Sequence, residues 1–293
     1  MRIPPGFCQQ SIATSLGRMV FYQPEAALDT EPSAHLVFLH GFGGGSSAYE
    51  WSQVYPAFAF SHRVLAPDLI GWGRSDHPAR NYQVEDYVNT LIEFLEATCP
   101  GPVPVVASSL TAAMTIRAAI ARPELFQCLI LTTPAGLSDF GENYTRSLFA
   151  TIVKTPFLDR LIYSFGVATR EGIRTFLEQR QFARPERIYP ELVEAYLESA
   201  QQPNAEYAAL SFVRGDLCFD LALDLPKLKV PTAMIWGRQS QFTGPEIGKR
   251  LAELNPQAVR VFQELDDVGL TPQLEQPAVA IALIQRYLRL LVV

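Results

Sequence analysis

The sequence predicts an α/β fold, a mostly parallel sheet with helices on both faces and a helical insertion. Three observations predict it. Short apolar runs end repeatedly in glycine, proline or small polar residues. Amphipathic helical stretches lie between them. The alternation stops at about residue 136, gives way to helical patterns, and resumes after about residue 225. Short apolar runs bounded by turn residues are what strands covered on both faces look like. Strand–helix alternation in turn gives parallel pairing.

The elements follow in order. Residues 10–14 and 19–22, with a turn near Gly17, predict an opening hairpin. Leu36-Val37-Phe38-Leu39 is a strand running into His40-Gly41-Phe42-Gly43-Gly44-Gly45. Arg63-Val64-Leu65-Ala66 is a second, ending in Pro67-Asp68. Residues 84–98 place Val84, Tyr87, Val88, Leu91, Ile92 and Leu95 on one helical stripe. The run 103–107 ends in Ser108-Ser109 and is followed by an Ala- and Ile-rich helix over 110–122. Strands at 129–132, 232–236 and 259–262 complete the set. The last helix, 277–291, carries Ala280, Leu283, Ile284, Tyr287, Leu288 and Leu291 at helical spacing, with Pro277 in its first turn. Residues 1–135 and 226–293 therefore read as one core, and 136–225 as a helical lid over the strand C-termini, where open α/β sheets bind ligands.

Composition sets outer bounds. The 293 residues are 48% hydrophobic and 18% charged, the balance of a globular chain. Thirty acidic against 24 basic residues leave a net charge of −6, which argues against a nucleic-acid partner. No apolar run approaches the roughly 18 residues of a membrane span. The first residues lack a signal-peptide pattern and the four cysteines are scattered, so a cytoplasmic location is expected. No His/Cys/Asp cluster has metal spacing, and the glycine run lacks a phosphate-loop or dinucleotide pattern, so no cofactor is expected.

His40-Gly41-Phe42-Gly43-Gly44 is similar to an H-G-x-G oxyanion loop. Residues 67–76, P-D-L-I-G-W-G-R-S-D, are similar to a P-D-x-x-G-x-G-x-S turn. In this order and spacing they resemble the α/β-hydrolase superfamily, in its lidded, esterase- and epoxide-hydrolase-like branch. The likeness implies an eight-stranded sheet (the α/β-hydrolase fold). It also implies an elbow at Ala107-Ser108-Ser109-Leu110-Thr111, with Ser109 at the nucleophile position. The backbone N–H groups of Phe42 and Leu110 would form the oxyanion hole, and His40, Gly41 and Gly43 would shape the loop. The superfamily's histidine stands in a pattern like G-H-x-P, and here Gly269-Leu270-Thr271-Pro272 puts Leu270 there. Its acid stands after W-G, and here Gly237-Arg238-Gln239-Ser240 puts Ser240 there.

A serine hydroxyl needs a positioned base. All four histidines precede Pro78. His35 and His62 are expected on the surface at the opposite sheet edge, His40 in the oxyanion loop, and His77 exposed. Asp267, beside Asp266 in the loop before Gly269, is a candidate substitute base if desolvation raises its pKa. Exposure to solvent is the alternative for it. The resulting expectation is a pseudoenzyme-like hydrolase homologue that binds a small apolar ligand or ester-like molecule, or a protein partner at the lid. The alternatives are an active carboxylic-ester hydrolase or lyase-type enzyme with a non-standard base, and a subunit with a vestigial pocket. Lid aromatics at 140, 144, 149, 157, 163, 165, 176 and 212 are candidates for the pocket wall, with most of them expected in the core.

Overall fold

A computed structural model describes residues 3–25, 34–141 and 163–292. Eight strands form one sheet in the order β1-β2-β4-β3-β5-β6-β7-β8. They are β1 Phe7–Thr14, β2 Gly17–Pro24, β3 His35–Leu39, β4 Arg63–Pro67, β5 Val103–Ser108, β6 Phe126–Thr132, β7 Thr232–Gly237 and β8 Val259–Leu265. β1 pairs antiparallel with β2, and β2 antiparallel with β4. All later neighbours are parallel.

The helices are α1 Val84–Thr98, α2 Ser109–Ala121, α3 Arg170–Phe176, α4 Pro190–Ala200, α5 Ala205–Arg214, α6 Pro245–Glu253, α7 Pro272–Glu275 and α8 Pro277–Leu291. α1 begins where the Gln83 backbone N–H donates to Asp86 Oδ2 at 2.8 Å, and Glu85 and Asp86 complement the helix dipole in the first turn. Its apolar stripe and α2 cover one face of the sheet with Val84, Tyr87, Leu91, Leu95, Leu110 and Ile116. α8 covers the other face with Ala280, Ile284, Tyr287 and Leu288, beside the 3-10 turn Ala48–Trp51. Helices thus lie on both faces, as the alternation predicts. α3, α4 and α5 all fall between β6 and β7.

Two strands run longer than their apolar cores suggest. β6 starts at Phe126, where buried Phe126 and Cys128 flank exposed Gln127. β8 continues to Leu265 through half-buried Gln263 and Glu264 because it lies at the sheet edge, with one neighbour. α6 has no counterpart in the sequence reading. It is polar on average, burying only Gly248, Leu251 and Ala252, and Pro245 opens it.

Trp51 anchors the turn that follows the glycine loop. Its ring is fully buried against Phe38, with centroids 5.5 Å apart, and its Nε1–H donates to Leu39 O at 2.9 Å. Trp51→Ala removes a large buried ring and leaves a cavity under β3. Urea unfolding of this variant is expected to show a loss of about 3–5 kcal/mol.

Candidate functional site

The site is built where β3, β5, β7 and β8 end along the C-terminal edge of the sheet. β5 passes into α2 with no loop, so the backbone reverses at one residue. That residue is Ser109, at φ 56°, in the left-handed region that a non-glycine residue seldom occupies. Ser109 is half-buried, whereas Ala107, Ser108 and Leu110 around it are fully buried. The first N–H groups of α2, that of Leu110 among them, have no acceptor one turn back within the helix, so they carry partial positive charge beside the Ser109 side chain.

The glycine loop lies against this turn. A Cβ on Gly41 would stand 3.3 Å from Ser109 Cβ and 3.5 Å from Glu50 Oε2, so a side chain there would wedge the loop from the elbow. At Gly43 it would meet the Phe176 ring at 2.9 Å and Gln181 Nε2 at 3.2 Å. Gly45, at φ 99°, leaves room for the Tyr196 carbonyl. The helical segment between β6 and β7 therefore packs directly on the loop. Phe42 is buried in an aromatic cluster, edge-on to Trp72 at 5.0 Å and to Tyr87 at 4.8 Å, with Phe212 at 6.4 Å.

His40 is fully buried and both ring nitrogens are engaged. Its Nδ1 lies 2.8 Å from Gly41 O, and its Nε2 accepts the Leu69 N–H at 3.0 Å. Those partners fix the Nδ1–H tautomer, and burial lowers its pKa to about 4. The ring joins the glycine loop to the turn after β4. In that turn, fully buried Asp68 accepts the N–H groups of Ala48 and Arg74 and the Tyr22 hydroxyl. A Cβ on Gly73 would collide with the Asp68 carboxylate, which accounts for the glycine in that motif.

The other three histidines lie elsewhere. His35 and His62 sit at the N-terminal ends of β3 and β4 and line a groove with Pro104, Leu288 and Arg289, at the edge opposite Ser109. His77 is half-buried rather than exposed, with Nε2 3.2 Å from Gly73 O, because the turn folds back over it.

The loops after β7 and β8 come together where a Cβ on Gly237 would strike the Gly269 carbonyl. Ser240 follows β7, and its hydroxyl is buried with no partner among the described residues. Leu270 is buried, and its backbone N–H donates to Gln181 O at 2.8 Å. Glu275 braces this loop. Its carboxylate accepts the N–H of Gly269 at 2.6 Å and of Ala183 at 2.8 Å, with Arg187 at 3.6 Å. Burial pushes its pKa up to about 7 against those donors.

Asp267 does not have the surroundings a substitute base requires. It is half-buried at φ 63° and paired with Arg184 Nε at 2.5 Å and Arg187 Nη2 at 2.8 Å. These guanidiniums hold its pKa below the usual value, the reverse of the rise that desolvation would give. Asp266 points outward, pairing with Arg238 at 2.5 Å.

Of the aromatics at 140, 144, 149, 157, 163, 165, 176 and 212, Phe176 and Phe212 approach the glycine loop. Tyr163 donates to Ala200 O at 2.9 Å, Phe140 lies under the Arg250 guanidinium, and Phe165 is 79% exposed. Tyr144, Phe149 and Phe157 lie outside the described residues. Phe242, between Phe176 and Phe212 at 6.3 Å from each, belongs to this cluster and escaped the sequence reading.

Glu50 escaped it as well. It is fully buried and accepts the Gly41 N–H at Oε2. Nothing but a single acid between Tyr49 and Trp51 marked it. Gln273, also fully buried, donates to Ser108 Oγ at 3.1 Å. Among the described residues no group of three or more His, Cys, Asp or Glu could hold a metal ion. No helix among them is long and apolar enough to cross a membrane.

The sequence profile of the Alpha/beta hydrolase family matches residues 36–283. The chain belongs to that family. It is 26% identical over 271 residues to Lipase 1 of Psychrobacter immobilis, covering 91% of this chain and 79% of that one. It is 40% identical over 116 residues to strigolactone esterase RMS3 of Pisum sativum, a match covering 38% of this chain and 42% of the esterase. Among solved structures, a serine hydrolase involved in carbazole degradation superposes with a TM-score of 0.77 at 18% identity, covering 97% of this chain and 99% of that one. Cfl2 from Burkholderia cenocepacia gives 0.76 at 23%, covering 98% of each chain. At these identities the superpositions establish the fold.

The burial of His40 has a consequence for acid stability. Its imidazole stays neutral in the folded chain, while the unfolded chain takes up a proton below about pH 6.5. The contribution of this group to stability is therefore complete above that pH and falls as the pH drops towards about 4, by about 3 kcal/mol. The unfolding free energy of His40→Gln, measured in urea from pH 7 to 4.5, is expected to start lower and to fall less steeply than that of the wild type.

Proposed function

We propose that this chain binds a small, largely apolar, ester-like molecule beside Ser109, under a lid drawn from residues 136–225, of which 142–162 lie outside the described residues, and does not hydrolyse it through a Ser–His–Asp relay. The observation that carries this reading is Leu270. A buried leucine occupies the place after β8 where the resemblance implies a histidine, and a leucine takes up no proton. None of the four histidines supplies a substitute, since two lie at the far sheet edge, His40 has both nitrogens engaged, and His77 bonds the Gly73 carbonyl. Ser240 at the acid position supports the same reading, because an acid contributes little once the base it orients is gone.

Magnitudes support it further. In serine proteases, losing the histidine costs about a factor of 10⁶ in turnover, and losing the whole triad costs about as much. An oxyanion hole and binding alone retain roughly 10³–10⁴ over water. The glycine loop, the elbow and the aromatic cluster of Phe42, Phe176, Phe212 and Phe242 would then serve binding. A carbonyl oxygen would face the Phe42 and Leu110 N–H groups, and an apolar tail would face the rings.

A second reading is an active hydrolase with another base. The positive φ of Ser109 favours it, because a strained backbone persists only where its surroundings over-determine it. The name of the relative matched over 91% of this chain, a lipase, favours it too.

Hydrolysis of p-nitrophenyl butyrate separates the two. Wild type and Ser109→Ala are expected to turn it over at rates within about threefold of each other, while the ester raises the melting temperature of both. Turnover by the wild type at least about a hundredfold above Ser109→Ala would establish the second reading. The double variant Ser240→Asp with Leu270→His is expected to gain Ser109-dependent turnover.

A further inference from the structure

Glu50 lies under the glycine loop, in the 3-10 turn that follows it, with no solvent exposure. No cation among the described residues pairs with it. Its Oε2 accepts the Gly41 N–H at 2.9 Å. Its Oε1 lies 2.9 Å from the hydroxyl of Tyr196, on α4. That same hydroxyl lies 3.2 Å from Gln181 Oε1.

The protons in this chain of oxygens can be counted. Tyr196 brings one hydrogen and sits within bonding distance of two acceptors, both buried. With Glu50 ionised and Gln181 presenting Oε1 to Tyr196, one of the two contacts is an oxygen–oxygen approach without a hydrogen; turning the Gln181 amide would supply an N–H there but would leave an unpaired carboxylate in a fully buried site. A proton on Glu50 supplies the missing one. The carboxyl then donates from Oε1 to Tyr196 Oη, and Tyr196 donates onward to Gln181 Oε1. Oε2 keeps the Gly41 N–H. Every polar atom in the row is satisfied, and no uncompensated charge is buried.

We propose that Glu50 is a neutral carboxylic acid in the folded chain, and that its proton, passed through Tyr196 to Gln181, ties the lid to the loop that lines the Ser109 site. Glu50 is thus a positioning residue for that site. It fixes Gly41, next to Phe42 in the chain, and registers whether α4 is seated. The inference goes beyond the binding reading and does not depend on it, since it concerns the ligand-free chain.

The surroundings agree. Burial raises the carboxyl pKa, opposed by the Ser46, Gly41, Tyr196 and Gln273 contacts. Tyr196 is the titratable group facing Glu50 from the lid. On the β4 side, Asp68 is committed to the Ala48 and Arg74 amides and the Tyr22 hydroxyl. His40, beyond Gly41, is neutral. On α7, Glu275 faces Gly269, Ala183 and Arg187.

The test is an infrared difference spectrum of ligand-free protein at pH 7, wild type minus Glu50→Gln, with Tyr196→Phe as the second variant. Glutamine reproduces the neutral acid, with its carbonyl toward Gly41 and its NH₂ toward Tyr196, so Glu50→Gln is expected to fold. A protonated-carboxyl C=O band present in the wild type and lost in Glu50→Gln is expected. In Tyr196→Phe that band is expected to persist at a shifted frequency, because the O–H has lost its acceptor. A difference spectrum with only ionised-carboxylate bands overturns the proposal. A band unmoved by Tyr196→Phe overturns the relay.

Thermal unfolding gives an independent reading. A folded-state pKa above the unfolded one means that the contribution of Glu50 to stability is complete below about pH 4.5 and falls as the pH rises through the folded value. Glu50→Gln lacks this loss, so its melting temperature is expected to gain on the wild type steadily from pH 5 to pH 8. A difference that stays constant over that range overturns the proposal.

Discussion

The rest of the site depends on a backbone reversal at one residue. β5 lies in the middle of the sheet with β3 on one side and β6 on the other, so its exit is walled in. α2 must nonetheless begin at once, which forces Ser109 to φ 56°. Strain of that kind costs of order 1–3 kcal/mol and survives only when neighbours leave no alternative. The neighbours here are glycine Cα atoms and small side chains. Gly41 approaches Ser109 where any side chain would intrude, and Ala107 is fully buried on the strand side. The glycine loop, the serine at the turn and the start of α2 are thus one solution to a packing problem, whatever chemistry is performed there.

Around this turn the protein buries polar groups while avoiding net charge. His40 is held neutral with both nitrogens occupied, and Gln273 and Ser108 bond each other. The arginines and acids that carry full charge stand outside, as in the Arg184–Asp267–Arg187 cluster at the rim. An uncompensated charge this deep would cost several kcal/mol. On the proposed binding reading, the arrangement would suit an uncharged ligand, with helix-end N–H groups at one end and aromatic rings at the other. It also explains why Asp267 is a poor base. Reaching the two guanidiniums takes it toward solvent, and their attraction keeps it ionised.

What could be read from the sequence follows from how local each signal is. The α1 and α8 stripes are periodic over fifteen residues each, and the structure has those helices at those positions. The glycine loop and the Pro67-Asp68 turn were legible because sharp turns demand particular residues at fixed offsets. α6 and the outer half of β8 were not, since a mostly polar amphipathic helix and a half-buried edge strand carry weak patterns. Glu50 and Phe242 were invisible for another reason. Their partners Tyr196, Phe176 and Phe212 come from the helices between β6 and β7, and long-range contacts leave no spacing in the chain. The half-burial of His77 has the same origin, since the Gly73 carbonyl reaches it only once the turn is folded.

The loop after β8 shows how far a scaffold can be separated from the side chain it displays. Its position is set by backbone groups. Gly269 N–H and Ala183 N–H converge on Glu275, and Leu270 N–H donates to Gln181 O. None of these bonds involves the side chain at position 270. The bonds that hold the loop therefore do not depend on which side chain stands at 270. A leucine also gains from the burial that an imidazole would resist, because desolvation works against a charged ring there as it does at His40. An intact loop is therefore no evidence that a base is present. In this chain the loop is held by backbone donors and Glu275, independently of the side chain at 270.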